Sequence, residues 1–102
     1  MAESPKGDPP LWINEQDERG RRADPEVTEV AYRIWSRVLC YVRQQRGDVS
    51  EAAEILEDTV YSVSQAIHKQ RDREPIRHLE SYLFLSFVRR YTRGIIRQQR
   101  IQ

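Results

Sequence analysis

The sequence predicts an all-α protein, a small bundle of three long helices with or without a short fourth at the N-terminus. Apolar residues recur at three-and-four spacing in three separate stretches, the period of one helix face. Helix-start and helix-stop chemistry brackets those stretches, with Asp24-Pro25 before the first, Gly47-Asp48 between the first two, and Pro75 after the second. Finally, 102 residues with 38% hydrophobic content are enough for one core and too few for two.

Residues 1–24, MAESPKGDPPLWINEQDERGRRAD, are rich in Pro, Gly and charge, and read as a flexible N-terminal arm ahead of a helical domain spanning 25–102. The apolar content of this arm is concentrated in Leu11, Trp12 and Ile13. These residues suit either a segment folded back on the domain or a docking motif for a partner.

The first helix begins at Asp24-Pro25, where Asp suits the N-cap, Pro the first helical position, and Glu26 the positive end of the dipole. Its apolar stripe runs through Val27, Val30, Ala31, Ile34, Val38, Tyr41 and Val42. Trp35 and Leu39 widen the stripe enough to touch two neighbours. Gly47 is the expected stop, in the left-handed conformation that glycine adopts without penalty.

The second helix starts at Asp48 or Ser50, with Asp48 and Glu51 at capping-box spacing, and ends near Gln70. Its stripe is Ala52, Leu56, Thr59, Val60, Val63, Ala66 and Ile67, with Ile55 at the margin. A loop of about a dozen residues, Lys69 to Glu80, is long for a helical domain of this size, and long loops are often functional. The third helix covers about His78 to Arg100, with Leu79, Leu83, Phe87, Tyr91 and Ile95 on its core side and Phe84 and Val88 flanking them.

Composition excludes several function classes. A single cysteine, Cys40, rules out an intramolecular disulfide framework and fits a reducing compartment. Cys40 is expected in the core beside Leu39 and Tyr41. No run approaches the ~18 apolar residues of a membrane span, and the N-terminus lacks the pattern of a secretory signal, so the expected location is cytoplasmic. Cys40, His68 and His78 have no close paired spacing that would suit a metal. There is no Gly-rich phosphate loop or nucleophile elbow. Glu57 and Asp58 are adjacent, so on a helix they point in different directions and make a poor acid/base pair. No catalytic residues, cofactor or enzyme activity are expected.

The charge pattern is more informative than the net charge of +1. From Asp48 to Asp58 no basic residue interrupts the acids, and Glu51, Glu54, Glu57 and Asp58 lie at three-and-four spacings. The helix dipole accounts for Asp48 and Glu51 in the first turn but fades before Glu57 and Asp58, which suit either a solvated face or a contact face. In the third helix, at about 100° per residue, Arg89, Arg90, Arg93, Arg97 and Arg100 fall within roughly a third of the circle, with Tyr82 at its upper end. No acid follows Glu80. The dipole explains Arg97 and Arg100, but a stripe beginning at Arg89 with an aromatic beside it points to nucleic acid.

The second and third helices together resemble conserved region two of bacterial RNA polymerase sigma factors of the extracytoplasmic-function group, over about Val27 to Gln102. Where that family reads approximately Ala-Glu-Asp-Leu-Val-Gln-Glu-Thr-Phe, this chain has Ala52-Ala53-Glu54-Ile55-Leu56-Glu57-Asp58-Thr59-Val60 in ungapped register. The family's Trp-Leu-Tyr-Arg-Ile-Ala-Arg-Asn is matched by Tyr82-Leu83-Phe84-Leu85-Ser86-Phe87-Val88-Arg89, keeping the aromatic-Leu-aromatic opening. Arg89 and Arg93 stand where the family has Asn and Asp, so this helix is more basic than the family pattern.

The resemblance implies a transcription-initiation module. Glu54, Ile55, Leu56, Glu57 and Asp58 would dock on the largest subunit of core RNA polymerase, with charge-assisted contacts setting orientation. Arg77, His78 and Tyr82 would contact a flipped-out base of single-stranded, non-template promoter DNA, and Arg89, Arg90, Arg93 and Arg97 would hold phosphates. An anti-sigma factor and self-association through the acidic and basic faces belong among the partners to consider. The group normally carries a helix-turn-helix domain after this region, and the sequence leaves open whether the chain is one domain of a longer protein or stands alone. The alternative is a sigma-like protein-interaction or dimerising regulatory module without specific promoter recognition.

Overall fold

The computed structural model describes residues 10–69 and 78–101, with the backbone alone for residues 95–101. Three helices in chain order, α1 (Pro25–Gln44), α2 (Val49–Lys69) and α3 (Leu79–Ile101), form an all-α bundle in which each packs against the other two. None of the helices among the described residues is long and apolar enough to cross a membrane.

Local chemistry sets the helix ends. Asp24 is extended (φ −73°, ψ 132°) and its carboxylate accepts from the Glu26 amide at 2.9 Å, capping α1 with Pro25 in the first turn. At the other end the Arg46 amide donates to the Arg43 carbonyl and the Gly47 amide to the Val42 carbonyl, the paired bonds of a Schellman motif. The residue in the left-handed region is Arg46 (φ 57°) and not Gly47 as expected, because α1 ends one residue earlier than a Gly47 cap requires. Gly47 is needed for a different reason. A Cβ there would overlap the Tyr91 hydroxyl, so α3 passes directly under the corner between α1 and α2. The Asp48 carboxylate accepts from the Ser50 amide at 2.8 Å and starts α2.

The core follows the predicted stripes as far as Tyr91, the side chain of Ile95 lying outside the described residues. Val27, Val30, Ala31, Ile34, Val38 and Val42 of α1 meet Ala52, Leu56, Val60 and Val63 of α2 and Leu83, Phe87 and Tyr91 of α3, all buried. Tyr41 packs edge-on against Phe84, Phe87 and Tyr91, and Arg37 lies over the Phe84 ring at 4.6 Å. Cys40, expected in the core, is exposed, since it lies on α1 away from the stripe through Val38 and Val42.

Residues 10–24 do not hang free. Leu11 and Ile13 enter the core while Trp12 between them stays 72% exposed, its indole N–H donating to Asn14 at 2.9 Å. Beyond them the chain turns at Gly20 (φ 84°), closed by an isolated Gln16–Arg22 bridge and the Ala23 amide donating to the Glu15 carbonyl at 2.8 Å. The segment covers two further residues of α2 that the stripe omitted, Tyr61 and Ser64. Tyr61 is only 2% exposed, donates its hydroxyl to the Asn14 carbonyl at 2.8 Å, and carries Arg21 over its ring at 5.6 Å. Ser64, also buried, accepts from the Asp24 amide at 2.8 Å.

Candidate functional site

The expected acidic residues of α2 have different environments. Leu56 is fully buried in the core, so it cannot meet a partner, and Ile55 is half-buried. Glu54 is exposed and Glu57 half-buried. Together with Asp17, Glu18, Asp58 and Tyr61 they line a hollow of about 530 Å³ between α2 and the 14–21 turn. Asp17 and Glu18 come from the N-terminal segment, and nothing in the α2 pattern announced them.

Within the hollow, burial pushes the Glu57 carboxyl above the usual carboxylate range, and Glu54, Asp17 and Asp58 push it the same way. Burial acts on Asp17 likewise, but it is outweighed there by the Arg21 side chain and amide and the Arg19 amide, which donate to the carboxylate and hold it below that range. Tyr61 is pushed up by burial first, then by Glu57 and Asp17.

Asp58 is not an open acid. One carboxylate oxygen takes a hydrogen bond from Arg21 Nη2 at 2.7 Å and the other from Arg90 Nη1 at 2.6 Å, so a single side chain joins the N-terminal segment, α2 and α3. Arg21 also reaches Asp17 through Nε at 2.7 Å and Ser62 Oγ at 3.3 Å. The Asp58 side chain remains 46% exposed and that of Arg90 38%, and ion pairs this open to water contribute ~0–1 kcal/mol each.

On the other side of Asp58, a shallow groove of about 190 Å³ runs between α2 and α3, lined by Ser62, Val63 and Ala66 of α2 and Tyr82, Ser86, Arg89, Arg90 and Arg93 of α3. These α3 positions follow helical spacing, which is why the arc drawn from sequence and the groove agree. Tyr82 is 42% exposed, and Arg89 and Arg93 are exposed without a salt bridge among the described residues. Arg90 lines the same groove but is committed to Asp58.

His78, expected beside Tyr82, is exposed and lines a separate hollow with Glu26, Val30 and Arg33 of α1 and Leu79, Glu80 and Ser81. One helical turn separates it from Tyr82, whose amide donates to the His78 carbonyl at 2.9 Å, but the two residues face different helices. Arg77 and the Arg97 side chain lie outside the described residues, as does most of the loop expected between Lys69 and Glu80. His68 Nε2 is 3.2 Å from Asp24 Oδ2, joining the end of α2 to the cap of α1.

Comparison with protein-family models, curated proteins and solved structures found no match.

Proposed function

We propose that the chain is a transcription-initiation module of the sigma region-two type, holding single-stranded promoter DNA in the α2–α3 groove and docking on the largest subunit of bacterial core RNA polymerase through its acidic hollow. The observation that carries the reading is the groove itself, in which an exposed aromatic, Tyr82, shares one channel with Arg89 and Arg93 and the hydroxyl residues Ser62 and Ser86. An aromatic face stacks on any base, and guanidiniums without a salt bridge among the described residues are suited to hold successive phosphates along the same channel. No covalent chemistry is required; the work is capture of a strand.

The hollow supports the second half of the reading. Glu54 and Glu57, with Asp17 and Glu18 added by the N-terminal segment, outnumber the Arg19 and Arg21 that line the same hollow and leave a concave, net acidic surface suited to Arg and Lys of a partner. Leu56 leaves the contact set, and Asp58 contributes only what Arg21 and Arg90 leave unneutralised.

The test uses the tagged chain in two assays. It should capture bacterial core RNA polymerase, with capture lost on Glu54→Lys with Glu57→Lys, and it should bind forked promoter DNA in a salt-sensitive manner, weakened by Arg89→Glu. A chain that captures no polymerase and ignores forked DNA at low salt overturns the proposal.

A further inference from the structure

Asp58 belongs to both charged surfaces at once. It lines the acidic hollow, yet one of its oxygens rests 2.6 Å from the Nη1 of Arg90, a residue that lines the groove. A carboxylate oxygen at that distance from a guanidinium occupies the place a phosphate oxygen would take. Two features make the contact exchangeable. Both side chains are more than a third exposed, so neither is trapped, and Asp58 would keep Arg21 on its other oxygen after losing Arg90.

We propose that Asp58 is the resident competitor of the groove, a built-in carboxylate that neutralises Arg90 until a phosphodiester takes the guanidinium over, with Arg21 retaining the carboxylate after the exchange. This rests on reading the groove as a nucleic-acid surface. Arg89 and Arg93 are the arginines available at first encounter, and Arg90 joins only when a neighbouring phosphate displaces Asp58. The ligand class that satisfies this sequence of contacts is a single-stranded polynucleotide, whose consecutive phosphates can engage Arg89 and Arg93 and then compete for Arg90. A lone monoanion engages one guanidinium and displaces nothing.

The test is fluorescence anisotropy with a short labelled oligodeoxythymidylate at low salt, run as a cycle over Asp58→Asn, Arg90→Gln and the double variant. Asp58→Asn should tighten binding by about two- to fivefold, the scale of one exposed ion pair, and in the Arg90→Gln background the same change should leave affinity essentially unaltered. Equal tightening in both backgrounds would mean that Asp58 acts only as a nearby negative charge, and would overturn the inference. A second readout does not depend on the Asn variant folding. Because Arg90 meets a phosphate in the bound state, Arg90→Gln should make the salt dependence shallower by about 0.7 of a unit of slope, the value for one contact to a single strand. An unchanged slope overturns the inference while leaving the groove reading intact. If neither the wild type nor Asp58→Asn binds the oligonucleotide at low salt, both the groove reading and the inference fall.

Discussion

The acidic hollow and the basic groove share a wall at Asp58 and differ in how their charges are managed. In the hollow, acids contributed by two segments crowd together, and the chain supplies its own counter-cation: Arg21 binds Asp17 and Asp58 and lies over Tyr61. In the groove, Arg89 and Arg93 stand in solvent on a regular helix face without a salt bridge among the described residues. Counting acids and bases along the sequence would rate the two surfaces as equal and opposite. Their internal pairing makes them unequal: the acidic surface is partly neutralised and fixed in shape, and the basic one is open.

The sharpest way to break this contrast is to reverse the groove. Arg89→Glu with Arg93→Glu should lower affinity for single-stranded DNA at low salt on the order of a hundredfold, since two phosphate contacts become repulsions. The melting temperature should stay within a few degrees of wild type, because neither side chain is buried. A large fall in melting temperature would show that these arginines hold the fold together, and the contrast would fail.

The reverse result is expected in the hollow. Arg21→Ala removes a side chain only 16% exposed that carries two ion pairs and a ring contact, and should cost about 1–2 kcal/mol in denaturant unfolding. Limited proteolysis should then cut within residues 10–24 sooner than in the wild type. Unchanged stability would mean that Leu11, Ile13 and the hydrogen bonds at Tyr61 and Ser64 hold the segment without help from Arg21.

The smallest effect is at Glu57. Its folded-state carboxyl lies above the ordinary value, through burial and then through Glu54, Asp17 and Asp58, so the fold favours the protonated form. The contribution is fully present below the unfolded-state value near ~4.3 and is lost as pH rises through the raised folded value. Glu57→Gln should therefore stabilise the protein at neutral pH by on the order of 0.3 kcal/mol, after discounting for solvent screening, and the gain should vanish in acid. Thermal melts at neutral pH and at mildly acidic pH check the sign.

Much of the fold was legible because helices announce themselves locally. The Asp24-Pro25 start, the Asp48 cap and the stripes through Val38, Leu56 and Phe87 depend on residues within a few turns of one another. Contacts between segments remote in sequence were not legible. Nothing at Asp58 indicates that Arg21 and Arg90 converge on it, and Tyr61 lies off its helix's stripe, buried because residues 11–16 fold over it. Of the candidate site, the Tyr82, Arg89 and Arg93 face was legible as a helical arc. The division of His78 from Tyr82 was not, because it depends on which helix each residue faces. Gly47 was assigned for its backbone freedom when its missing side chain is what matters, a distinction that only Tyr91 reveals.

That close passage ties together parts of the chain that look separable. An antiparallel helix pair joined by a short corner is a familiar independent unit, but here the corner is shaped around the phenol of a third helix. The amides of Gln45, Arg46 and Gly47, which close the corner onto the Tyr41, Val42 and Arg43 carbonyls, should exchange their hydrogens with solvent only when α3 lifts away. The corner and the third helix are thus expected to open together, and exchange of those three amides at the same rate as the core amides of α3 is the measurement that checks it.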